Sequence, residues 1–262
     1  MFNADSYVRR IKAIDVHSHY NFGHPGDTPK VPNVVDENIE YLLKMAEAAN
    51  IEYTFTSPFS GVTTEGITTN GIVDGNEHLY ELSHAIKNLY QWVVIDARNE
   101  KSIEQAKRML PHPKCAGIKV IPSIHGYSSL DYQDEIYGLA AEYGKPVLIH
   151  PEGFADYLVP VADKYKDTII IAAHLSQHGQ VEAIEKCKYG NIYTDTSSSS
   201  STCNRVIEYA VGKLGSDRIM LGTDTYAAGF QRGRIEFAMI SDKDKENILR
   251  GTAQKLFADI LK

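Results

Sequence analysis

Short apolar runs alternate with longer amphipathic segments along the whole chain, and this alternation limits the fold more than any other feature. Eight such runs, rich in β-branched residues, lie between residues 13 and 222. They are typical of strands in a parallel sheet that is buried on both faces and covered by the intervening helices. The predicted strands are Ala13–Val16, Glu52–Ser57, Gln91–Asp96, Ala116–Ile121, Pro146–His150, Thr168–His174, Ile192–Asp195 and Arg218–Gly222.

The segments between these runs are predicted to be helices, and one more helix follows the last run. Eight strand and helix pairs fit a (β/α)8 TIM barrel, an α/β fold. A flavodoxin-like doubly wound sheet also alternates, but about five or six strands complete it. The 262 residues are close to the roughly 250 of one barrel, so a single domain over residues 1–262 is predicted. The predicted helices are Asn38–Ala49, Glu77–Asn88, Ser102–Leu110, Tyr132–Tyr143, Ala155–Lys164, Val181–Lys188, Asn204–Leu214 and Asp242–Ile260.

The charge balance argues against polyanionic partners. The 27 Lys and Arg residues are outnumbered by 34 Asp and Glu residues, which gives a formal net charge of −7. An acidic chain has no general electrostatic attraction to nucleic acid or to an anionic membrane surface. A small-molecule substrate is therefore the expected partner, and a homo-oligomer is compatible with the sequence.

The cysteines and the N-terminus bear on the compartment. Cys115, Cys187 and Cys203 are odd in number and widely spaced, so neither a disulfide framework nor a thiolate zinc site is indicated. The first residues lack the basic and apolar regions of a signal peptide, and no apolar run approaches the ~18 residues of a membrane span. These features predict a cytoplasmic protein without a membrane segment.

Polar residues fall repeatedly where the predicted strands end. His17 and His19 close the first run with one residue between them, so both project to the same side of a strand. Near the ends of runs four, five, six and eight lie Lys119, His150, His174 and Asp224. In a parallel barrel the carboxyl ends of the strands meet at one rim, where the chemistry takes place.

Each of these residues also has an ordinary structural explanation. A single histidine can bond to backbone, a lysine beside a strand can extend to solvent, and an aspartate can cap a turn. Together they are harder to explain in this way, because ionisable groups that end apolar strands cost stability unless they are paired or ligated. Three histidines and one carboxylate suit zinc and also accept manganese, iron or cobalt. Without thiolates, such a set is typical of a catalytic site that activates water.

The same residues lie in segments that resemble the amidohydrolase superfamily, in its amidohydrolase-related branch of metal-dependent TIM-barrel enzymes. The resemblance spans nearly the whole chain. The matching segments are Ile14–His19, Gly117–Val120, Val147–Pro151, Ile171–Leu175, Ile219–Asp224 and Asn247–Phe257. The chain departs from the family pattern at Thr252, where relatives often have asparagine, and at Leu175–Gln177, where relatives have a glycine-rich turn. The first departure is structural, and the second is expected to reshape the pocket.

The resemblance implies a role for each strand-end residue. The implied ligands of a single metal ion are His17, His19, His150 and Asp224. His174 is the implied general acid/base or electrostatic stabiliser, and Asp224 doubles as the acceptor of a proton from the attacking water. In binuclear members of the superfamily a lysine on strand four is carboxylated and bridges two metals. Lys119 is therefore expected either at a second metal or as a contact for an anionic group of the substrate.

Hydrolysis of an ester, lactone or amide of a small polar molecule is the leading functional prediction. Water activated by the metal, most simply one zinc ion, attacks the carbonyl carbon. The alternative is non-oxidative decarboxylation of an aromatic or unsaturated carboxylic acid, for which Arg232, Arg234 or Lys119 would hold the carboxylate. Hydrolysis is preferred because the chain is shorter than the decarboxylases it resembles. A metal-binding relative without catalytic activity is the third hypothesis.

Three segments after predicted strands bear on access to the site. Tyr20–Asp36 and Gly61–Gly75 are long for barrel loops, so they are predicted either to act as lids or to form surface and dimer contacts. Thr196–Thr202 contains five consecutive serines between threonines. It is predicted to be either a flexible polar loop or a hydroxyl-rich wall for a polar substrate.

Overall fold

Eight parallel strands form the barrel wall in this computed structural model, and each strand pairs with the one that follows it in sequence. The structure describes residues 7–20, 38–64, 70–197, 205–224 and 228–261. The strands are β1 (Ala13–Tyr20), β2 (Ile51–Pro58), β3 (Leu89–Val94), β4 (Cys115–Val120), β5 (Val147–Ile149), β6 (Ile170–Ala172), β7 (Ile192–Asp195) and β8 (Ile219–Met220). The predicted (β/α)8 barrel is confirmed.

Backbone hydrogen bonds join the end of β8 to β1 and close the barrel. Val16 N donates to Leu221 O at 2.9 Å. His17 O accepts from Thr223 N at 2.9 Å and from Asp224 N at 2.8 Å. Closure therefore brings the main chain of Asp224, after β8, into direct contact with that of His17 in β1.

Helices on the outside of the barrel cover the strands. Their apolar faces and the outward side chains of the strands form the largest core cluster, which includes Val120, Ile149, Leu158 and Val181. The α-helices are α1 (Tyr7–Arg10), α2 (Asn38–Ala48), α3 (Gly71–Ala85), α4 (Glu100–Met109), α5 (Pro122–His125), α6 (Leu139–Glu142), α7 (Leu158–Lys164), α8 (His178–Glu185), α9 (Val206–Leu214), α10 (Ala228–Glu236), α11 (Asp242–Glu246) and α12 (Thr252–Leu256). No helix in the described ranges is long and apolar enough to cross a membrane.

Aromatic side chains fill the inside of the barrel toward its N-terminal end. Phe257, which follows α12, packs edge to face on Phe55 with ring centroids 4.6 Å apart, and its ring lies 5.9 Å from that of Trp92. Tyr90 belongs to the same buried cluster. The indole Nε1 of Trp92 donates to Val16 O at 2.8 Å, so its one polar atom is satisfied. Because this end is packed with apolar rings, the buried polar groups of the interior collect at the other end.

The start of α3 corrects part of one predicted loop. The helix begins at Gly71 rather than at Glu77, so the second part of the predicted loop Gly61–Gly75 is helical. The glycine content of this segment suggested a loop, but Gly75 has a packing role. A Cβ atom at Gly75 would lie 2.6 Å from Ser60 Oγ, so only glycine allows α3 to approach the segment after β2 this closely. Residues 21–37 and 65–69, which carry most of the proposed lids, lie outside the described residues.

The sequence predicts the helical segment that begins at Asp242 but not α10, because Gly229 and Gly233 give α10 a low intrinsic helix propensity. Tertiary contacts stabilise it instead. The buried guanidinium of Arg232 donates to four backbone carbonyls, including those of Val8, Ile11 and Asn50 at 3.1, 3.0 and 3.1 Å. The side chain of Arg232 thereby ties α10 to the N-terminal ends of β1 and β2.

Candidate metal centre

A β-bulge in β1 brings two histidines to the C-terminal end of the barrel interior. The register against β2 shifts between Asp15 and Ser18, so Val16 and His17 together oppose a single residue of β2. Val16 packs in the interior cluster, and beyond it the buried imidazoles of His17 and His19 approach with their Nε2 atoms 3.3 Å apart. Bulges often re-aim a side chain beside an active site. The two imidazoles therefore meet on one side of β1, as predicted, although the strand is bulged at His17 rather than regular.

The outer nitrogen of each imidazole contacts a buried side chain. His17 Nδ1 lies 3.0 Å from Asp195 Oδ2, and both side chains are 0% exposed. His19 Nδ1 lies 2.7 Å from Ser57 Oγ. Because a carboxylate only accepts hydrogen bonds, His17 carries its proton on Nδ1 and presents the lone pair of Nε2 toward His19. Such partners fix the ring orientation of metal-binding histidines.

Asp224 and His174 both have a left-handed backbone conformation, with φ values of 67° and 66°. This conformation costs non-glycine residues roughly 1–3 kcal/mol and concentrates at functional sites. The carboxylate of Asp15, beneath the turn, accepts from Thr223 Oγ1 at 2.5 Å and from Thr223 N at 3.1 Å. Together with the bond from Asp224 N to His17 O, these contacts hold Asp224 against β1.

Three donor atoms converge at distances that fit one metal ion. His17 Nε2, His19 Nε2 and Asp224 Oδ1 are separated by 3.3, 3.5 and 3.9 Å. For a tetrahedral ion with bonds of about 2.1 Å, neighbouring ligand atoms lie roughly 3.4 Å apart. Two imidazoles and one carboxylate are also the donor set of many catalytic metal sites. The residues present therefore fit a divalent metal.

His150 and His174 lie at the edge of this group rather than within it. The ring centroid of His174 is 4.9 Å from that of His17 and 4.9 Å from that of His150. His150 belongs to neither set of donor atoms that lie within 4.8 Å of one another. Its Nδ1 is buried and has no hydrogen-bond partner among the described residues. A buried imidazole nitrogen without a partner is costly, which is consistent with a ligand role for His150.

Lys119 lies inside the site. Its side chain, on β4, is 1% exposed, and its Nζ is 3.0 Å from His17 Nε2. Burial lowers the pKa of Lys119 to about 8, while Asp195 and Asp224 oppose that shift. Lys119 therefore faces the same imidazole lone pair that a metal ion would use, and it is the buried cation closest to the predicted ligands among the described residues.

Burial also sets the charge states of the site. It is the largest cause of the lowered pKa values of His17, His19 and His174, and the positive charge of Lys119 contributes to the lowering of all three. Burial lowers the pKa of His150 to about 4 and raises that of Asp224 to about 6. The histidines are therefore neutral near pH 7, which is the form that binds a metal.

Arg232 and Arg234, which the sequence offers as partners for a substrate carboxylate, make no contact with the three converging donor atoms. Arg232 binds backbone carbonyls at the opposite end of the barrel and is excluded from that role. Arg234, also on α10, donates from Nη1 to Thr196 O at 2.8 Å and to Gln231 Oε1 at 2.7 Å. Of the three cations, Lys119 is therefore the one with a direct contact to a predicted metal ligand.

Asp195, Ser197 and Ser57 belong to the site but were not predicted. Asp195 ends a predicted strand, so the strand-end pattern that selected the histidines could have identified it. Ser197 lies in the serine-rich segment, of which residues 198–202 are outside the described residues. A serine within such a run gives no individual signal. Ser57 near the end of β2 is equally inconspicuous, because strands often contain hydroxyl side chains.

Comparisons with known proteins bear on the family and the fold of the chain. The sequence profile of the Amidohydro_2 family, described as Amidohydrolase, matches residues 14–258. A comparison with curated protein sequences gives no match.

Solved structures of similar fold include two decarboxylases, one of them with bound manganese. A 5-carboxyvanillate decarboxylase from Sphingomonas paucimobilis is 14% identical, with a TM-score of 0.70 over 95% of this chain and 99% of that chain. A dihydroxybenzoic acid decarboxylase from Polaromonas sp. JS666 with bound manganese is 15% identical, with a TM-score of 0.69 over 94% and 96% of the two chains. A Pseudomonas putida protein proposed to be a 2-pyrone-4,6-dicarboxylic acid hydrolase is 16% identical, with a TM-score of 0.69 over 96% and 99%.

At this level of identity the structural likenesses support the barrel, while the sequence profile covers the strands that carry the site. The profile begins at Ile14, ahead of the two first-strand histidines, and ends beyond Asp224. The chain therefore belongs to the amidohydrolase family of (β/α)8 barrel enzymes.

Proposed function

We propose that this protein is a metal-dependent hydrolase that acts on an ester, lactone or amide of a small polar molecule. The convergence of His17 Nε2, His19 Nε2 and Asp224 Oδ1 within 3.3–3.9 Å carries the proposal. The same group is bordered by His174, a second residue with a strained backbone. This combination supplies both ligands and a group that can exchange a proton with the substrate.

The ligands in this proposal are His17, His19, Asp224 and His150, and the metal is one zinc ion, with manganese, iron or cobalt as alternatives. A single ion is proposed because the second close group of donors, formed by His17, His174 and Asp195, uses His17 again and already contains a hydrogen bond. A divalent metal bound there would lower the pKa of a water molecule and polarise the substrate oxygen.

The protein's own side chains supply the other functions. The carboxylate of Asp224, whose side chain is 34% exposed, faces the open end of the barrel and is positioned to accept a proton from the attacking water. His174 lies beside the donor group and is positioned to hydrogen-bond the substrate oxygen. Lys119 provides a buried positive charge for an anionic group of the substrate.

Decarboxylation is the second candidate, and Lys119 is the observation that favours it. A cation that is 1% exposed and 3.0 Å from His17 Nε2 could hold a carboxylate next to the metal site. The same cation could equally bind a carboxylate elsewhere on a hydrolase substrate. Both candidates therefore predict a substrate that carries an anionic group.

An assay of the purified protein tests the proposal. The metal is removed with a chelator, zinc or manganese is added back, and activity is measured on lactones, esters and amides with and without a carboxylate. Release of carbon dioxide from aromatic acids is measured in parallel, with Asp224→Asn as the inactive control. Metal-dependent hydrolysis supports the proposal, and carbon dioxide release without hydrolysis supports decarboxylation. About one equivalent of metal with neither activity indicates a binding protein, and failure to bind metal overturns the site.

A further inference from the structure

Ser197 lies between two imidazoles of the site. Its Oγ is 3.0 Å from His17 Nδ1 and 2.8 Å from His174 Nδ1. The side chain is fully buried, just after the end of β7. A hydroxyl has one proton to donate, so it can donate to only one of these two nitrogens.

The neighbouring carboxylate decides which nitrogen receives that proton. His17 Nδ1 is also 3.0 Å from Asp195 Oδ2, which accepts and does not donate. The proton between them therefore belongs to His17, and His17 Nδ1 donates toward Asp195 and Ser197 Oγ. Of the two nitrogens, His174 Nδ1, which lies 2.8 Å from Ser197 Oγ, is therefore the one that can accept the hydroxyl proton of Ser197.

We infer that Asp195 and Ser197 set the tautomers of both histidines, so that His17 presents an unprotonated Nε2 to the metal site and His174 presents an Nε2–H donor. Asp195 and Ser197 are positioning residues, because they act through the two imidazoles. Of the two roles predicted for His174, this inference favours the hydrogen-bond donor over the base. That consequence for the reaction rests on the proposed function, whereas the tautomers do not.

The backbone around β7 supports this arrangement by fixing both residues. Ser197 N donates to Asp195 Oδ1 at 2.9 Å, and Thr196 N donates to Met220 O at 2.9 Å. Leu175 N, directly after His174, donates to Asp195 O at 2.8 Å. Asp195 therefore contacts His17 through its carboxylate and binds the residue after His174 through its carbonyl, so one residue links the segments that carry the two imidazoles.

Glycine at position 222 is part of the same arrangement. A Cβ atom there would lie 2.5 Å from Asp195 Oδ1 and 3.0 Å from Ser197 Cβ. The close approach of the Asp195 carboxylate and the Ser197 side chain to residue 222 thus depends on the absence of a side chain at Gly222.

Nuclear magnetic resonance of protein labelled with ¹⁵N in histidine tests the inference on the metal-free protein. His174 is assigned from the signal that disappears in His174→Gln. We expect the Nε2–H tautomer of His174 in the unmodified protein and in Ser197→Thr, which retains a hydroxyl. In Ser197→Ala we expect a measurable population of the Nδ1–H tautomer. Ser57→Ala, which removes the hydroxyl beside His19, is the matched control and should leave His174 unchanged.

Two results would overturn the inference: an Nδ1–H tautomer of His174 in the unmodified protein, or an unchanged tautomer in Ser197→Ala. If Ser197→Ala does not fold, the unmodified protein and Ser197→Thr still decide the first point. Failure of the proposed function is a separate result, because the tautomers can be as inferred while every substrate in the panel remains uncleaved. If a substrate is found, kcat of Ser197→Ala should fall at least about tenfold with little change in KM.

Discussion

The two ends of the barrel interior are built by the same strands but contain different kinds of side chain. The N-terminal end is filled by interlocking rings of Phe55, Trp92 and Phe257. The C-terminal end contains buried ionisable groups, and two of its residues, His174 and Asp224, have a strained backbone. Apolar packing stabilises the folded state, whereas unpaired buried polar groups and non-glycine residues in the left-handed conformation destabilise it. The N-terminal end therefore stabilises the barrel whose C-terminal end holds the candidate functional groups.

Removing an aromatic ring from the N-terminal end should have the largest effect on stability. Phe257→Ala is expected to lower the free energy of unfolding by about 3–5 kcal/mol, because the ring is almost fully buried against Phe55 and Trp92. Chemical denaturation measures this change. Phe237→Ala is the matched control, since Phe237 is 65% exposed, and it should change stability by less than about 0.5 kcal/mol. Equal effects of the two substitutions would contradict the proposed division between the ends.

A substitution at the other end should act on metal binding instead. His17→Ala is expected to lower metal affinity by more than about 100-fold, because it removes a ligand. Substitution of a residue that only hydrogen-bonds a ligand already lowers metal affinity by about 10–100-fold. Isothermal titration with zinc measures the affinity, and circular dichroism checks the fold. His84→Ala, on the exposed face of α3, is the control and should bind as the unmodified protein does. Unchanged zinc affinity in His17→Ala would show that His17 is not a metal ligand and would contradict the proposed site.

The smallest expected effect comes from a single added methyl group. Gly222→Ala places a Cβ 2.5 Å from Asp195 Oδ1, so the carboxylate must move away from its present position beside His17. We expect metal affinity to fall about tenfold through this displaced partner. Gly229→Ala is the matched control, because a Cβ there meets no atom within 4 Å. The same zinc titration measures the affinity of both variants. Equal zinc affinities of Gly222→Ala and Gly229→Ala would show that the position of the Asp195 carboxylate does not depend on glycine at position 222.

Much of this arrangement could be predicted because it depends on local pattern. Alternating apolar and amphipathic segments predict strands and covering helices, and strand-end positions identified His17, His19 and His174. The parts that were not predicted depend on contacts between distant residues. The helix α10 relies on the buried guanidinium of Arg232, and the start of α3 relies on close packing at Gly75, which looks like a loop residue in sequence. Local propensity has no access to either contact.

The sequence by itself determined the barrel and the rim on which its polar residues lie, because strand periodicity and parallel closure follow from the order of apolar runs. Only the tertiary structure decided how these residues meet. The arrangement depends on contacts between strands that are far apart in the chain. They include the bulged pairing of β1 with β2, the approach of Asp224 to His19, and the contacts of Asp195 and Ser197 with His17. Distances, tautomers and buried charge states depend on such contacts, and they appear only when the barrel closes.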